Sequence, residues 1–492
     1  MEIPDYIGKI IGQLETGGFQ AFVVGGSVRD LLTKKIPKDW DITTDARPDD
    51  IMRLLPEGRY ENVFGTVIVP VKNAAGETEH VIEVTTFRSE QSYSDRRHPD
   101  EIRFEDELDK DLERRDFTIN AMALSSSHST LPGGRGEEKD GEKIIDLFGG
   151  RKDLKEKIIR AVGEPADRFR EDALRMMRAI RFMCQLGFAI EPKTERGITK
   201  MAGGLKFIAN ERIRDELVKI LDTPYAYEGV MKLYELKLLQ YIVPELERGI
   251  GINQNKHHIH TVFKHSVLSL KYCPSRDWRV KLAALFHDIA KPQTKRMVGG
   301  DATFYNHDLV GAKITKKILE RLRFSREDAD RIANLVRNHM FYYDVGQVTE
   351  SSVRRLIAKV GRENLKDLID LRIADRLGSG VPKAKPYKLR HLEYMMEKVQ
   401  KDPVSAKMLK INGSDIMDLL TIEPGPKIGA ILDVLLSEVI DDPGLNTAAY
   451  LKKRAAELNE LNLNELRARA REKIEDKKME DDEELKKGFW VK

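Results

Sequence analysis

The sequence predicts an α+β chain, with strands confined to the first 150 residues or so and helices alone thereafter. Segments of strand character, Phe22–Val24, Thr66–Val71 and the β-branched, alternating run Glu79–Arg88, all fall in that first part. Further on, apolar residues recur at helical spacing, as Ala173, Met177, Ile180 and Cys184 do. At 492 residues the chain is too long for one core, so three or more domains are expected. The divisions read here are 1–150, 151–222, 223–390 and 391–492.

Apolar residues make up 41% of the chain, the ordinary share for a soluble globular protein. Lys and Arg number 84 against 81 Asp and Glu, a formal charge of +3, so any nucleic-acid surface must be a local patch. The two cysteines, Cys184 and Cys273, stand in unrelated contexts, which argues against a disulfide scaffold or a thiolate zinc site and fits a reducing cytoplasm. No apolar run approaches membrane-spanning length, and no basic stretch followed by an apolar one opens the chain, so neither a membrane nor secretion is expected.

In chain order, Ile3–Leu14 reads as an amphipathic helix, and Phe22–Val24 as a short buried strand. Gly25 and Gly26 let the backbone turn tightly and approach a ligand. Ser27 is placed to cap the helix that follows, with Arg29 in its first turn. Such a helix start favours phosphate, and Arg29 adds a forked charge for the same anion. Asp39-Trp40-Asp41 comes next. Carboxylates two residues apart on an extended strand share a side and repel unless a cation sits between them. Hard oxygen ligands of this kind suit Mg²⁺. Arg47–Leu55 reads as a helix. Glu83, on the strand Glu79–Arg88, is either a third acid near the metals or an ordinary solvent-facing Glu.

GGSVRD followed by DWD resembles the signature of class II tRNA nucleotidyltransferases and bacterial poly(A) polymerases. The resemblance implies a nucleotidyltransferase head with a small mixed sheet. Ser89–Arg103 is polar and aperiodic and reads as a mobile loop; it is similar to the flexible loop that CCA-adding members carry at this place, and its full length speaks against an enzyme that adds only part of CCA. Arg114-Arg115-Asp116-Phe117-Thr118-Ile119-Asn120-Ala121 resembles the family's RRDFTINA block, which implies that Arg115 binds the nucleotide triphosphate while Asp116 and Asn120 support the site. Ser125–Glu142 is expected to form a hairpin loop. Asp146-Leu-Phe-Gly-Gly150 is similar to the family's DPFGG turn and reads as a hinge.

Asp167–Phe188 reads as a helix, with Asp172, Arg175, Arg178 and Arg181 at steps of three on one face. On pattern alone a salt-bridged exposed row is favoured. The block, however, is similar to the family's EDxxRxxRxxRF motif, which chooses the incoming base. Asp172 would accept from the exocyclic amine of cytosine or adenine, and Arg175 would donate to the adjacent ring nitrogen. Guanine and uracil would meet facing donors or acceptors, which makes rejection strong. Arg178 and Arg181 would face phosphates. Asn210–Glu216 resembles the family's ERIxxE helix and is read as structural.

Seven of the eleven histidines fall between His257 and His339. His287-Asp288 lies on an apolar helix expected to end at Pro292. His265, His307, His339 and Asp375 lie in other helical segments. The set resembles the HD phosphohydrolase superfamily, which implies that His265, His287, Asp288 and Asp375 bind a divalent metal, that His307 and His339 could hold a second, and that Lys291 contacts phosphate. Imidazole with carboxylate suits a divalent transition metal whose identity the residues leave open. Leu409–Ile416 and Pro424–Gly429 resemble the tRNA-docking tail of class II enzymes; the second is equally an ordinary turn before an amphipathic helix. Arg467–Lys487 reads as a solvated charged run.

The reading that results is template-independent addition of CCA to tRNA from CTP and ATP by two-metal transfer at Asp39 and Asp41. Gly26, Arg29, Arg115, Asp172, Arg175, Arg178 and Arg181 would hold the nucleotide. The alternatives are an A-adding, CC-adding or poly(A)-adding relative, and an HD phosphohydrolase whose head merely binds nucleotides.

Overall fold

The computed structural model describes residues 3–470 except 63–64, 74, 92–100, 126–136, 140–141, 255–258, 300, 346–347 and 400–404. The chain forms two compact units, Met1–Glu247 with Arg321–Arg323, and Arg248–Glu320 with Phe324–Lys492. Strands and helices mix in the first unit and helices dominate the second, as the sequence predicts, but helices do not stand alone after residue 150: Ile158–Ile159 pairs in parallel with Ala189–Ile190, and Arg296–Val298 pairs with Asp301–Thr303.

The first unit holds a sheet ordered Arg59–Asn62, Thr66–Lys72, Thr78–Thr86, Asp41–Thr44, Ala21–Val24, Met122–Ser125, Glu142–Asp146 and Glu137–Lys139. Asp41–Thr44 runs parallel to Thr78–Thr86 and the other neighbours are antiparallel, so the sheet is mixed. Both faces are covered around Ala21–Val24. Ala21 and Val23 join a core with Ile7, Ile11, Val28 and Ile42, while Phe22 and Val24 join Phe87, Leu112 and Ala123. A strand buried on both faces has no polar side to show, hence its unbroken apolar run.

Several expectations need correcting. Ser89–Arg103 is not a loop throughout: Arg88–Gln91 pairs with Glu101–Phe104 in an antiparallel ribbon, and residues 92–100 lie outside the described residues. A ribbon held by its backbone ladder needs no apolar alternation, so its polar sequence hides it. Around Ser125–Glu142 the flanking strands do pair as a hairpin, with residues 126–136 and 140–141 outside the described set. The turn at Asp146–Gly150 is pinned rather than loose. Asp146 accepts the amides of Gly150 at 2.7 Å and Arg151 at 2.9 Å, and a Cβ on Gly150 would lie 2.3 Å from the Thr118 carbonyl oxygen.

Asp167–Phe188 is two helices. Pro165–Glu171 stops at Asp172, whose extended backbone (φ −137°, ψ 106°) breaks the spiral, and Arg175–Leu186 follows. Asp172 Oδ1 accepts the Leu174 amide at 3.0 Å, a local bond that competes with continued helix. The stripe of Ala173, Met177, Ile180 and Cys184 is buried. Burial pushes the Cys184 and Cys273 thiols up to about 12, so neither is a reactive thiolate.

In the second unit the helix Trp278–Phe286 ends at His287, ahead of Pro292. The proline opens the short helix Lys291–Thr294 instead, where its missing N–H costs nothing. Near the tail, Pro426–Asp441 buries Ile428, Ile431 and Leu435 in a core with Leu451 and Leu458. Lys427 there donates to the Asn459 carbonyl at 2.7 Å. Most of Arg467–Lys487 lies outside the described residues. Among the described residues no helix is long and apolar enough to cross a membrane.

Candidate functional site

Asp41 opens the strand Asp41–Thr44, and Asp39 lies just ahead of it. Trp40 between them is buried in one core of the sheet, which leaves both carboxylates on the opposite face. Ser27 does not cap its helix. Gly25 holds that position, and the buried Ser27 hydroxyl donates to the Asp39 carbonyl at 3.2 Å and accepts the Asp41 amide at 3.4 Å. One serine thereby ties the glycine turn to the acid pair.

Burial raises the Asp41 carboxyl above its usual range; Arg115 opposes the rise and Asp39 adds to it. Glu83 stands beside Asp41 in the parallel register and is likewise raised, first by burial and then by Asp41. Two raised carboxylates, Asp41 and Glu83, with Asp39 beside them, offer a place for a divalent cation. Gly25 is required here. Its φ is +75°, and a Cβ would lie 3.0 Å from Arg115 Nη1 and 3.3 Å from Asp41 Oδ2. Arg115 donates to the buried Asp111 at 3.1 Å, and its Nε is buried without a hydrogen-bond partner. That unused donor fits an anion.

A polar chain then leads from the glycine turn to the helix Arg175–Leu186. Arg29 donates to Asn120 Oδ1 at 2.9 Å, with its guanidinium packed beside Gly26. Asn120 donates to Asp116 Oδ1 at 3.4 Å, and Asp116 Oδ2 accepts Arg178 Nε at 2.6 Å. Burial alone would raise Asp116, but Arg178 and Arg175 outweigh it and hold the carboxyl below its usual range. Arg181 donates to Glu216 at 2.7 Å. The guanidinium carbons of Arg29, Arg178 and Arg181 lie 5.4, 5.4 and 4.1 Å from the centre of the Phe182 ring. The arginine row and the acid pair therefore belong to one compact unit.

Asp172 and Arg175 are not paired with each other. Asp172 takes both arms of Arg212, at 2.7 and 3.3 Å. Arg175 reaches Glu171 at 2.5 Å and the Arg114 carbonyl at 3.1 Å. The backbone does make a turn between them, with the Arg175 amide on the Asp172 carbonyl at 3.0 Å, but each side chain is taken up elsewhere.

In the second unit His265, His287, Asp288, His307, His339 and Asp375 converge. Asp288 Oδ2 lies 3.1 Å from His265 Nε2 and 3.3 Å from His287 Nε2, while Oδ1 lies 3.4 Å from His307 Nε2 and 3.8 Å from His339 Nε2. Asp375 Oδ1 is 3.3 Å from His265 and 3.7 Å from His287. Two triads, each able to hold a metal ion, thus share one carboxylate. His307 and His339 each place Nδ1 2.7 Å from a main-chain carbonyl, of Phe304 and Val336. A carbonyl only accepts, so Nδ1 carries the proton. Burial pushes both imidazoles down to the neutral form, and their Nε2 lone pairs face each other at 3.3 Å. Such an arrangement fits a cation. His287 differs: burial lowers it, but Asp288 and Asp375 outweigh burial and hold it up at about 10. Lys291 lies 2.6 Å from Asp288 Oδ2.

Three family models match the chain: the poly A polymerase head domain over residues 21–160, a probable RNA- and SrmB-binding site of polymerase A over 187–250, and the HD domain over 262–379. The A-adding tRNA nucleotidyltransferase of Deinococcus radiodurans is 36% identical over 345 residues, which is 67% of this chain and 74% of that protein. The CCA-adding enzyme of Bacillus cytotoxicus is 43% identical over 236 residues, 48% of this chain and 54% of that enzyme. The chain thus spans about half the length of that CCA-adding relative, as it does of the Bacillus subtilis enzyme at 51%. The crystal structure of the Bacillus stearothermophilus CCA-adding enzyme in complex with CTP superposes with a TM-score of 0.65 at 26% identity, covering 94% of this chain and 98% of that one. With the acid pair, the arginine row and the HD cluster in their places, the chain belongs to the tRNA nucleotidyltransferase family.

Proposed function

We propose that this protein adds CCA to the 3′ end of tRNA from CTP and ATP without a nucleic-acid template. The observation that carries the reading is the acid cluster of Asp39, Asp41 and Glu83 facing Arg115 across a glycine that alone permits the approach. Asp39 and Asp41, with Glu83 beside them, would hold Mg²⁺, which when bound activates the tRNA 3′-hydroxyl and offsets charge on the leaving pyrophosphate. The unused Nε of Arg115 takes a triphosphate oxygen, and Arg29, Arg178 and Arg181 add positive charge around it. A bond forms between the 3′ oxygen and the α-phosphorus, the bond from that phosphorus to the pyrophosphate breaks, and the hydroxyl proton leaves to solvent. Asp172 and Arg175 read the base. In this division of labour residues 1–150 perform the chemistry, 151–222 select the base and 391–492 dock the tRNA body. The work belongs in the cytoplasm, where tRNA and nucleoside triphosphates meet.

The identity to an A-adding relative over 345 residues keeps partial addition as the competing outcome. Incubation with tRNA ending before its first terminal C, with labelled CTP or ATP, followed by product sequencing decides. Incorporation of both in the order C, C, A supports the proposal, and a protein that never uses CTP refutes it.

A second reading rests on the shared carboxylate of Asp288. Residues 223–390 would form a phosphohydrolase, with His265, His287, Asp288 and Asp375 holding one divalent transition metal and His307 and His339 another. A metal there supplies an activated water for phosphoester hydrolysis. Lys291, 2.6 Å from Asp288, is placed to meet a phosphate oxygen. Hydrolysis of a chromogenic phosphodiester that survives Asp39→Ala but not His287→Ala would support it.

A further inference from the structure

Arg212 lies on the helix Asn210–Leu221, forty residues beyond the carboxylate it grips. An ionised carboxylate has about four lone-pair sites, two on each oxygen. On Asp172, Oδ1 accepts the Leu174 amide at 3.0 Å and Arg212 Nη1 at 3.3 Å, and Oδ2 accepts Arg212 Nη2 at 2.7 Å. Three of the four sites are taken, and the remaining one is on Oδ2. The exocyclic amine of cytosine or adenine needs a single acceptor from the protein, which is what remains. The carboxylate is also held against rotation twice, from its own chain by the amide and from a second helix by the fork. Glu216, one turn further along that helix, clamps Arg181 at 2.7 Å, so both ends of the base-selecting segment are fixed from the same element.

We propose that Arg212 is a positioning residue for base selection. It orients Asp172 so that one acceptor faces the incoming base, and it does so without touching the nucleotide. The inference rests on Asp172 reading the base. A guanidinium can grip both oxygens at once, whereas an ammonium is a point charge. Lysine at this place should therefore restore neutrality without restoring aim.

The test compares Arg212→Ala, Arg212→Lys and Asp172→Asn in the full-length protein, by steady-state kinetics with each of the four nucleoside triphosphates on truncated tRNA and by thermal melting. For Arg212→Ala the KM for CTP and ATP should rise about tenfold, the loss expected for a charge-assisted hydrogen bond. Its kcat with CTP should change less, and the preference for CTP and ATP over UTP and GTP should narrow. Arg212→Lys should melt like the parent and yet share the narrowed preference. If Arg212→Lys keeps the parent's KM and preference, the proposal is overturned. Should Arg212→Ala melt too early to assay, the lysine variant decides alone. If Asp172→Asn leaves base preference untouched, the underlying reading of Asp172 fails. If Asp172→Asn alters preference and the Arg212 variants do not, only the positioning role fails.

Discussion

The acid pair of the first unit and the histidine cluster of the second handle charge in opposite ways. In the HD cluster the donor atoms of each triad lie within 4.8 Å of one another, and the residues are buried. No such triad forms around Asp39 and Asp41 among the described residues, and Asp39 and Glu83 are exposed. The HD cluster is assembled before any substrate arrives. On the proposed reading the head's site would be completed by a triphosphate that brings its own oxygens to the cation. A resident metal in the second unit and a transient one in the first would leave these two signatures.

The sharpest way to break the contrast is to delete each site in turn. Asp39→Ala with Asp41→Ala should lower nucleotide addition about a thousandfold or more, because both acids that hold the metal are gone. It should leave phosphodiester hydrolysis unchanged. Asp288→Asn should do the reverse, and metal analysis should find it short of both ions, since each triad uses one oxygen of this carboxylate. His339→Ala should cost only the ion shared with His307. Joint loss of addition and hydrolysis in the Asp39/Asp41 variant would mean the two sites are not independent.

Metal stripping comes next in size. A buried site that binds metal only when folded stabilises by mass action, so exhaustive chelation should lower the melting temperature of the second unit by about 5 °C or more, and readdition should restore it. The first unit should melt unchanged, because its acids gather metal with substrate. Equal shifts in both transitions, followed by calorimetry, would erase the distinction between resident and transient metal.

How far these sites could be read from the sequence follows the range of the interactions. Asp39-Trp40-Asp41 was legible because strand alternation is local, and Trp40 does turn inward. The HD ligands were legible because histidine is scarce and clustered, although their convergence is a tertiary fact. Glu83 reads either way in the sequence, since its place beside Asp41 depends on a parallel register that requires a crossover connection. Ser27 was misread as a cap because local rules favour serine there, while its hydroxyl reaches the acid pair's backbone instead. The break at Asp172 carries no glycine or proline, so only the Asp172–Leu174 bond betrays it. Asn210–Glu216 reads as structural, and the Arg212–Asp172 bond agrees with that; the bond itself is not legible in the sequence, because its partner lies on another element and no periodicity links the two.

A smaller effect tests the head's electrostatics. Arg115 lowers the Asp41 pKa against burial and Asp39, both of which raise it. Arg115→Gln removes the lowering influence, so Asp41 should protonate at higher pH than in the parent. A carboxylate must be ionised to hold metal. The acid limb of Mn²⁺ binding to the head in the presence of CTP, followed by paramagnetic relaxation in an Asp288→Asn background, should therefore move to higher pH. No movement, or movement to lower pH, would show that Arg115 does not act on Asp41.

The smallest effect concerns Phe182, whose ring is flanked by Arg29, Arg178 and Arg181 and meets Phe117 edge-on at 5.7 Å. Three like charges gather there because the ring face is negative and each arginine is paired with a carboxylate, Arg29 with Asp30, Arg178 with Asp116 and Arg181 with Glu216. Phe182→Leu keeps an apolar side chain but removes the quadrupole. The first unit should lose about 1–2 kcal/mol of stability, read from its melting transition. The KM for both CTP and ATP should rise by the same few-fold factor if, as proposed, the arginines neutralise phosphate and read no base. Unequal changes for the two nucleotides would place Phe182 in base selection and so move the border between charge neutralisation and base reading. The HD cluster, which holds its ligands by burial and a shared carboxylate, should not respond to this substitution at all.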